Sequence, residues 1–313
     1  MKGADEPPAR RPDSSPRQQA NHGKGLLLAL VSTFLFSNVF ITAKFSLEAF
    51  NPTTFGLVWL SSAAIFSLII IIFSGRVGSL TISLQSLGVV LAMGLLTGIG
   101  MILAWAALSR LDPSFAAFLW RFYPIMALFL SIIVLKEKLR LVELLPVGFL
   151  ILGGLISVLD RWELVGTGMI LALLSCLAGA VNLVIAKKAV AEIAPLTLAV
   201  YSNAFGASAI LIWGIVGNSI YFGVATRHWM ACIAGAFFGP CLGQILRFQS
   251  YRFWGLSRSS IVMTIEPLFV LPLAFLFLGK LPTAQELLGG GLILLGAIWL
   301  ASLRHLANRH ERR

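Results

Sequence analysis

Hydrophobic and polar positions along this chain fall in blocks and do not alternate. Apolar runs lie at roughly 26–44, 55–73, 87–107, 115–135, 142–159, 166–186, 197–217, 229–249, 259–278 and 287–303. Between them stand short stretches with turn or charge signals, such as Asn51-Pro52, Gly75-Arg76, Asp112-Pro113, Lys136-Glu137-Lys138, Asp160-Arg161 and Gly217-Asn218. A helix needs about 20 apolar residues to cross a hydrocarbon core, and a barrel strand only about 9–11 with strict alternation. The pattern therefore predicts an all-α integral membrane protein of ten transmembrane helices.

Composition agrees. Hydrophobic residues make up 58% of the 313 residues and charged ones only 12%, about half the usual share for a soluble domain. So little charge cannot cover a water-facing surface. The net charge of +11 would suggest a nucleic-acid partner in a soluble protein. Here no basic helix or aromatic-basic motif accompanies it, so no nucleic-acid partner is expected. With the N-terminus in the cytoplasm, 17 of the 24 Lys and Arg fall in the tails and inner loops and 5 in the outer loops. This positive-inside bias predicts a multi-pass protein of the inner (plasma) membrane with both termini cytoplasmic. Residues 1–24, polar and with four prolines, are expected to form a disordered tail rather than a signal peptide. Cys176, Cys232 and Cys241 lie inside apolar runs and read as small buried hydrophobes.

The chain also resembles itself at an offset of 143 residues. Residues 23–32 read GKGLLLALVS and residues 166–175 read GTGMILALLS, identical at six of ten positions. The register carries Lys44 onto Lys187, Pro52 onto Pro195, Gly100 onto Gly243, Pro124 onto Pro267 and Gly153 onto Gly296. The expected organisation is a tail (1–24), a first repeat (25–160), a second repeat (165–304) and a basic tail (305–313). Five spans is an odd number, so the second copy enters the bilayer upside down. Two inverted five-helix repeats are the architecture of many secondary transporters, whose halves rock about a midplane site.

With these features the sequence resembles the EamA-type members of the drug/metabolite transporter superfamily. The resemblance rests on the duplicated five-helix unit and the pattern following each fourth helix. In the first half this is Pro124, then Leu135-Lys136-Glu137-Lys138-Leu139, then Gly148 to Gly153. In the second it is Glu266-Pro267, then Leu278-Gly279-Lys280-Leu281, then Gly291 to Gly296. The acid common at this place in the family stands at Glu137, and Lys280 replaces it in the second half. The resemblance implies export of small organic metabolites or amino-acid-like solutes. It also admits a nucleotide-sugar or lipid-linked sugar carrier.

Ionisable groups inside a membrane are costly and mark candidate sites. Arg121 and Glu266 stand out, beside the matched helix-breaking Pro124 and Pro267, which point to the binding site. By helical rise Arg121 lies about 9 Å below the outer face and Glu266 about 10 Å above the inner one. They could pair, or flank a solute between a cationic and an anionic wall. Glu266 is also the candidate proton carrier. Trp105, Trp120, Tyr123, Asn38 and Gln244 are candidate substrate-binding residues, and Asn182, Asn203, Gln249, Tyr201 and Tyr251 could complete a cavity. Arg247 either faces the same cavity or, the favoured reading, snorkels toward the cytoplasm, and Lys44 and Lys187 are expected to snorkel toward the interface. Gly94-x-x-x-Gly98 and Gly235-x-x-x-Gly239 read as close helix contacts.

No nucleotide-binding loop, H-E-x-x-H or paired-aspartate motif occurs, so no enzyme, metal or cofactor is expected. The four histidines, His22, His228, His305 and His310, lie in tails or loops. The expected partners are a small-molecule solute and the lipid bilayer. A membrane scaffold or membrane-embedded enzyme is the alternative of another class.

Overall fold

The computed structural model describes residues 16–111, 116, 119–120, 122–135, 142, 144–156, 166–254, 259, 262–263, 265–278 and 284–310. Arg121, Glu137, Lys280 and the Asp112-Pro113 and Lys136-Glu137-Lys138 turns lie outside them, as do the side chains of Pro124 and Pro267. Among the described residues the regular structure is helical throughout. In the first half the helices are α1 (Pro16–Ser46), α2 (Pro52–Phe73), α3 (Leu84–Arg110), α4 (Phe122–Leu135) and α5 (Leu144–Ile156). The second half has α6 (Thr167–Ala189), α7 (Pro195–Val216), α8, α9 (Glu266–Leu278) and α10 (Ala284–His310). α8 runs as three contiguous segments, Thr226–Ala236, a π-helical Phe237–Gly243 and Gln244–Trp254. Helix α1 starts at Pro16 and so reaches back into the polar stretch expected to be tail.

Six of these helices are long and apolar enough to cross a bilayer: Gly23–Ser46 of α1, α2, α3, α6, α7 and Thr226–Phe253 of α8. Their outer faces carry bare apolar side chains. Phe73, Leu84 and Val216 are more than four-fifths exposed, a surface that only lipid can cover. The chain is a multi-pass membrane protein.

Local chemistry sets the helix ends twice over. α2 and α7 both open on a proline, Pro52 and Pro195, where the missing N–H has no intrahelical partner to lose. Asn51 caps α2 by accepting from the Thr54 N–H at 2.8 Å. Both helices then end through the same device. Gly75 (φ 64°) and Asn218 (φ 45°) are left-handed. Beyond them, Arg76 N–H reaches Ile71 O at 3.1 Å and Ser219 N–H reaches Gly214 O at 2.9 Å. These are paired Schellman closures, and their left-handed residues are 143 apart.

Packing obeys the same exchange. α3 packs on α6 and α7, while α8 packs on α1 and α2. α4 packs on α6, while α9 packs on α1. α2 meets α7, and α5 meets α10. Exchanging the two halves returns each of these pairings. The closest approaches use the two small-residue motifs. A methyl at Gly98 would stand 2.9 Å from both Gly206 O and Ala209 Cβ on α7. Gly235 and Gly239 of α8 lie under the Trp59 indole of α2. Trp59 itself is fully buried in an aromatic cluster with Phe55 and Trp105, ring centroids 4.9–5.7 Å apart.

Lys44 and Lys187 behave alike too. Both are half-buried. Lys44 Nζ donates to Leu111 O and Lys187 Nζ to Tyr251 O, each at 3.4 Å. Each lysine thus reaches the C-terminal end of the third helix of its own half, where carbonyls lack helical partners and the dipole favours a cation.

Candidate functional site

A cavity of about 220 Å³ opens between α1, α3, α6 and α8, with the starts of α4 and α9 completing its wall. It is smaller than the roughly 300–1,000 Å³ of pockets for drug-sized ligands. Most of the lining comes as pairs of positions 143 apart. Phe36 is matched with Gly179, Val39 with Asn182, Phe40 with Leu183, and Thr97 with Pro240. Met101 is matched with Gln244, Ala104 with Arg247, Trp105 with Phe248, Trp120 with Met263, and Tyr123 with Glu266. The cavity therefore lies on the seam about which the halves exchange.

The two faces differ in chemistry. At four of these pairs an apolar or uncharged first-half residue faces a more polar partner: Val39 and Asn182, Met101 and Gln244, Ala104 and Arg247, Tyr123 and Glu266. The first half adds an aromatic wall. Trp105 and Trp120 meet edge to face at 6.1 Å, and Phe40 leans on Trp120 at 5.1 Å. Trp120 Nε1 is held by Ser175 Oγ at 3.1 Å, and Ser175 in turn donates to Ala172 O at 2.7 Å.

Arg247 corrects the sequence expectation. Its guanidinium lies over the Phe36 ring, 3.7 Å from the centroid, and lines the cavity. Its Nε is buried with no hydrogen-bond partner among the described residues. The reason is helical phase. Arg247 falls seven residues after Pro240 and three after Gln244, both of which line the cavity, so depth along the axis does not decide where it points. Tyr123 lies within hydrogen-bonding reach of the Arg247 guanidinium, and Glu266 is near enough to act on the same hydroxyl electrostatically.

Of the other residues singled out from sequence, Trp105, Trp120, Tyr123, Gln244, Asn182 and Glu266 line the cavity. Gln244 Nε2 is tied to Ser202 Oγ at 3.1 Å. Asn38 does not line it, and its Nδ2 donates to Phe34 O of its own helix at 3.1 Å. Its neighbour Val39 takes that place, a displacement of about 100° around the helix axis per residue. Asn203, Tyr201 and Tyr251 serve packing. Asn203 Nδ2 holds Pro240 O at 2.9 Å, Tyr201 donates to Leu80 O at 2.8 Å, and Tyr251 is buried in the core. Arg121 lies outside the described residues, and nothing of the Pro124 and Pro267 rings is described. Sequence reasoning passed over Thr97, Ser175 and Phe36. Helical phase, counted three residues on from Gln244, would have pointed to Arg247. Among the described residues no three His, Cys, Asp or Glu side chains gather as metal ligands.

Comparison with known proteins completes the picture. The EamA-like transporter family matches residues 23–159 and again 166–302, one match for each half. The chain belongs to the EamA-like transporter family. It is 25% identical over 199 residues to an uncharacterized transporter of Archaeoglobus fulgidus, covering 62% of this chain and 68% of that protein. A crystal structure of a protein 17% identical in sequence superposes with a TM-score of 0.72, covering 91% of this chain and 99% of the other. That likeness concerns the fold. In this EamA-like transporter the cavity on the seam sets polar side chains such as Gln244, Arg247 and Glu266 against an aromatic wall.

Proposed function

We propose that this protein is a secondary transporter of ten membrane-crossing helices in a bacterial inner membrane. On this reading it exports small organic metabolites or amino-acid-like solutes, with both termini in the cytoplasm. The halves are inverted copies that rock about the cavity and expose it to one side at a time. One observation carries the reading: the cavity is walled by residue pairs that exchange under the internal repeat. A site on such a seam keeps equivalent contacts whichever half moves.

Within this reading the solute rests against Trp105, Trp120 and Tyr123 and is held by Gln244, Arg121 and Glu266. Glu266 takes up and releases a proton as the cavity changes sides, which couples the proton gradient to solute movement. Pro124 and Pro267 fall in the first turn of α4 and α9, at matched places where a missing N–H breaks no helical bond, and these helix starts serve as the points about which the helices tilt.

The experiment is uptake into proteoliposomes of purified protein, preceded by a thermal-stabilisation screen with amino acids, amines and sugars, since a ligand that binds the folded state raises apparent stability. The expected result is saturable transport of a stabilising solute, driven by a pH gradient and lost in Glu266→Gln. Saturable transport indifferent to the pH gradient would overturn the coupling. The absence of transport by protein that binds no solute would overturn the reading itself.

A further inference from the structure

On the reading of the halves as inverted copies, every contact in this fold has a counterpart at the opposite depth, 143 residues away. A difference between two such counterparts marks where the halves stand unequally. With the termini in the cytoplasm, the Ser46 end of α1 and the Thr226 end of α8 are outer. These two helices stay in touch out to those ends. Val39 packs on Gly239, and Thr42 and the Trp59 indole close over Gly235. At the outer end the Phe45 ring stacks on His228, the third residue of α8, with centroids 4.7 Å apart and planes 21° from parallel. His228 is 4% exposed. Arg227 Nε donates to His228 Nε2 at 3.2 Å, so the proton of the neutral imidazole sits on Nδ1, which donates to Phe45 O at 2.9 Å. Ser46 Oγ stands 3.3 Å from His228 O.

The counterpart of this closure is the inner end of the α3–α6 contact. Near the outer face those helices meet where Gly168 lies against Leu111, and midway Asn182 Nδ2 donates to Thr97 Oγ1 at 2.8 Å. Further inward the matched face is bare. On α8, His228, Cys232 and Gly235 follow one another at helical spacing and are all buried. Their counterparts on α3, Gln85, Val89 and Ala92, are all exposed, and so is Lys188, the counterpart of Phe45 on α6. Val89 and Ala92 are apolar, so polarity is not what keeps this face bare. The cavity leans the same way. It is lined by Ala186 in the last, inner turn of α6 and not by the counterpart Ala43 in the last, outer turn of α1.

Resting on the transporter reading above, we propose that these two places are the gates of the cavity: His228 on Phe45 closes the outer one, Gln85 and Lys188 meet to close the inner one, and the structure is the inward-facing form. Rocking exchanges the two geometries, so α8 lifts from α1 at its outer end as α3 closes on α6 at its inner end. The His228 closure suits repeated opening. Water takes the place of each of its hydrogen bonds when the helix ends part, so the net worth of each is small. Cys232, one turn along α8 from His228, is buried in the closed gate and becomes accessible only when that gate opens.

The test is carried out on the full-length protein in right-side-out membrane vesicles. Gln85→Cys is combined with Lys188→Cys, two exposed positions, and the pair is joined by a short bifunctional thiol reagent that a reductant cleaves. Cys232 is probed with a membrane-impermeant maleimide added outside, and the modified residue is located by peptide mass spectrometry, so Cys176 and Cys241 stay in place. A buried thiol is inert to such a reagent. The cross-link should form and should turn Cys232 from unlabelled to labelled, and the reductant should reverse both. His228→Ala should make Cys232 label without any cross-link. Failure of the pair to cross-link would overturn the paired gates, as would Cys232 labelling that is the same with and without the cross-link. Cys232 as protected in His228→Ala as in wild type would remove His228 from the closure. None of these readouts needs a solute. They can fail while the wild type transports, whereas the transporter reading fails when the wild type binds and moves no solute.

Discussion

Tyr123 and Glu266 occupy one position in two copies of the same unit. They are 143 residues apart, each immediately precedes a proline, and both line the seam cavity. A phenol and a carboxyl thus enter the cavity from equivalent places, and the phenol lies within hydrogen-bonding reach of the Arg247 guanidinium. Glu266→Gln keeps the shape and removes the exchangeable charge. It should leave insertion and fold intact and abolish gradient-driven transport, with solute counterflow as the control. Full gradient-driven activity in that variant would remove Glu266 from the coupling.

The α3–α7 contact tolerates no added carbon at Gly98. A side chain there meets the Gly206 carbonyl oxygen and the Ala209 methyl at 2.9 Å, against backbone that cannot swing away. Gly98→Val should cost about 1–3 kcal/mol by overpacking, read as a lowered melting temperature in detergent. Gly88, in the same helix with open space around it, provides the contrast. Gly88→Ala should raise stability by about 0.5–1 kcal/mol through lost backbone freedom in the unfolded chain.

The paired helix endings offer a matched experiment. Gly75 and Asn218 hold left-handed conformations that an alanine adopts only at a penalty of about 1–2 kcal/mol. Gly75→Ala and Asn218→Ala should both destabilise by about that amount, and Asn218→Gly should be neutral or slightly stabilising. Unequal losses in the two alanine variants would show that the closures do not carry equal weight.

Asn203 holds the carbonyl of Pro240 in the π-helical segment of α8. Asn203→Leu leaves that carbonyl without its side-chain donor and should cost about 1–3 kcal/mol. Amide exchange should rise at residues 237–243 more than in the flanking turns. Unchanged exchange there would mean the segment is held by Ser32, which donates to Gly243 O at 2.8 Å.

Much of this was written in the chain. Hydropathy marks membrane-crossing runs because a bilayer punishes any unpaired backbone group, leaving helices few places to begin and end. The repeat shows itself because prolines, glycines and lysines at helix ends are held in place by local chemistry, as Lys44 and Lys187 demonstrate. The Gly-x-x-x-Gly motifs were readable for the same reason. Side-chain direction was not. Asn38 looked like a cavity residue and Arg247 like a snorkelling one, because depth in the membrane was estimated while rotation about the helix axis was not. The π turn was also hidden. Pro240 announces an interruption, but whether the ladder kinks or takes in an extra residue depends on what α1 and α7 offer its loosened carbonyls.

That π turn exists in one copy of the duplicated unit. Its counterpart around Thr97 is an unbroken α-helix from Leu84 to Arg110. Two identical copies facing opposite ways would give a pump with no preferred resting side, since each open form would be the reflection of the other in energy as well as in shape. A wider coil in α8 and none in α3 lifts that degeneracy. On the transporter reading the empty carrier should therefore wait with its mouth toward one compartment, a bias in rates that comes down to the difference between a proline and a threonine, while the gradients alone fix the direction of net flow.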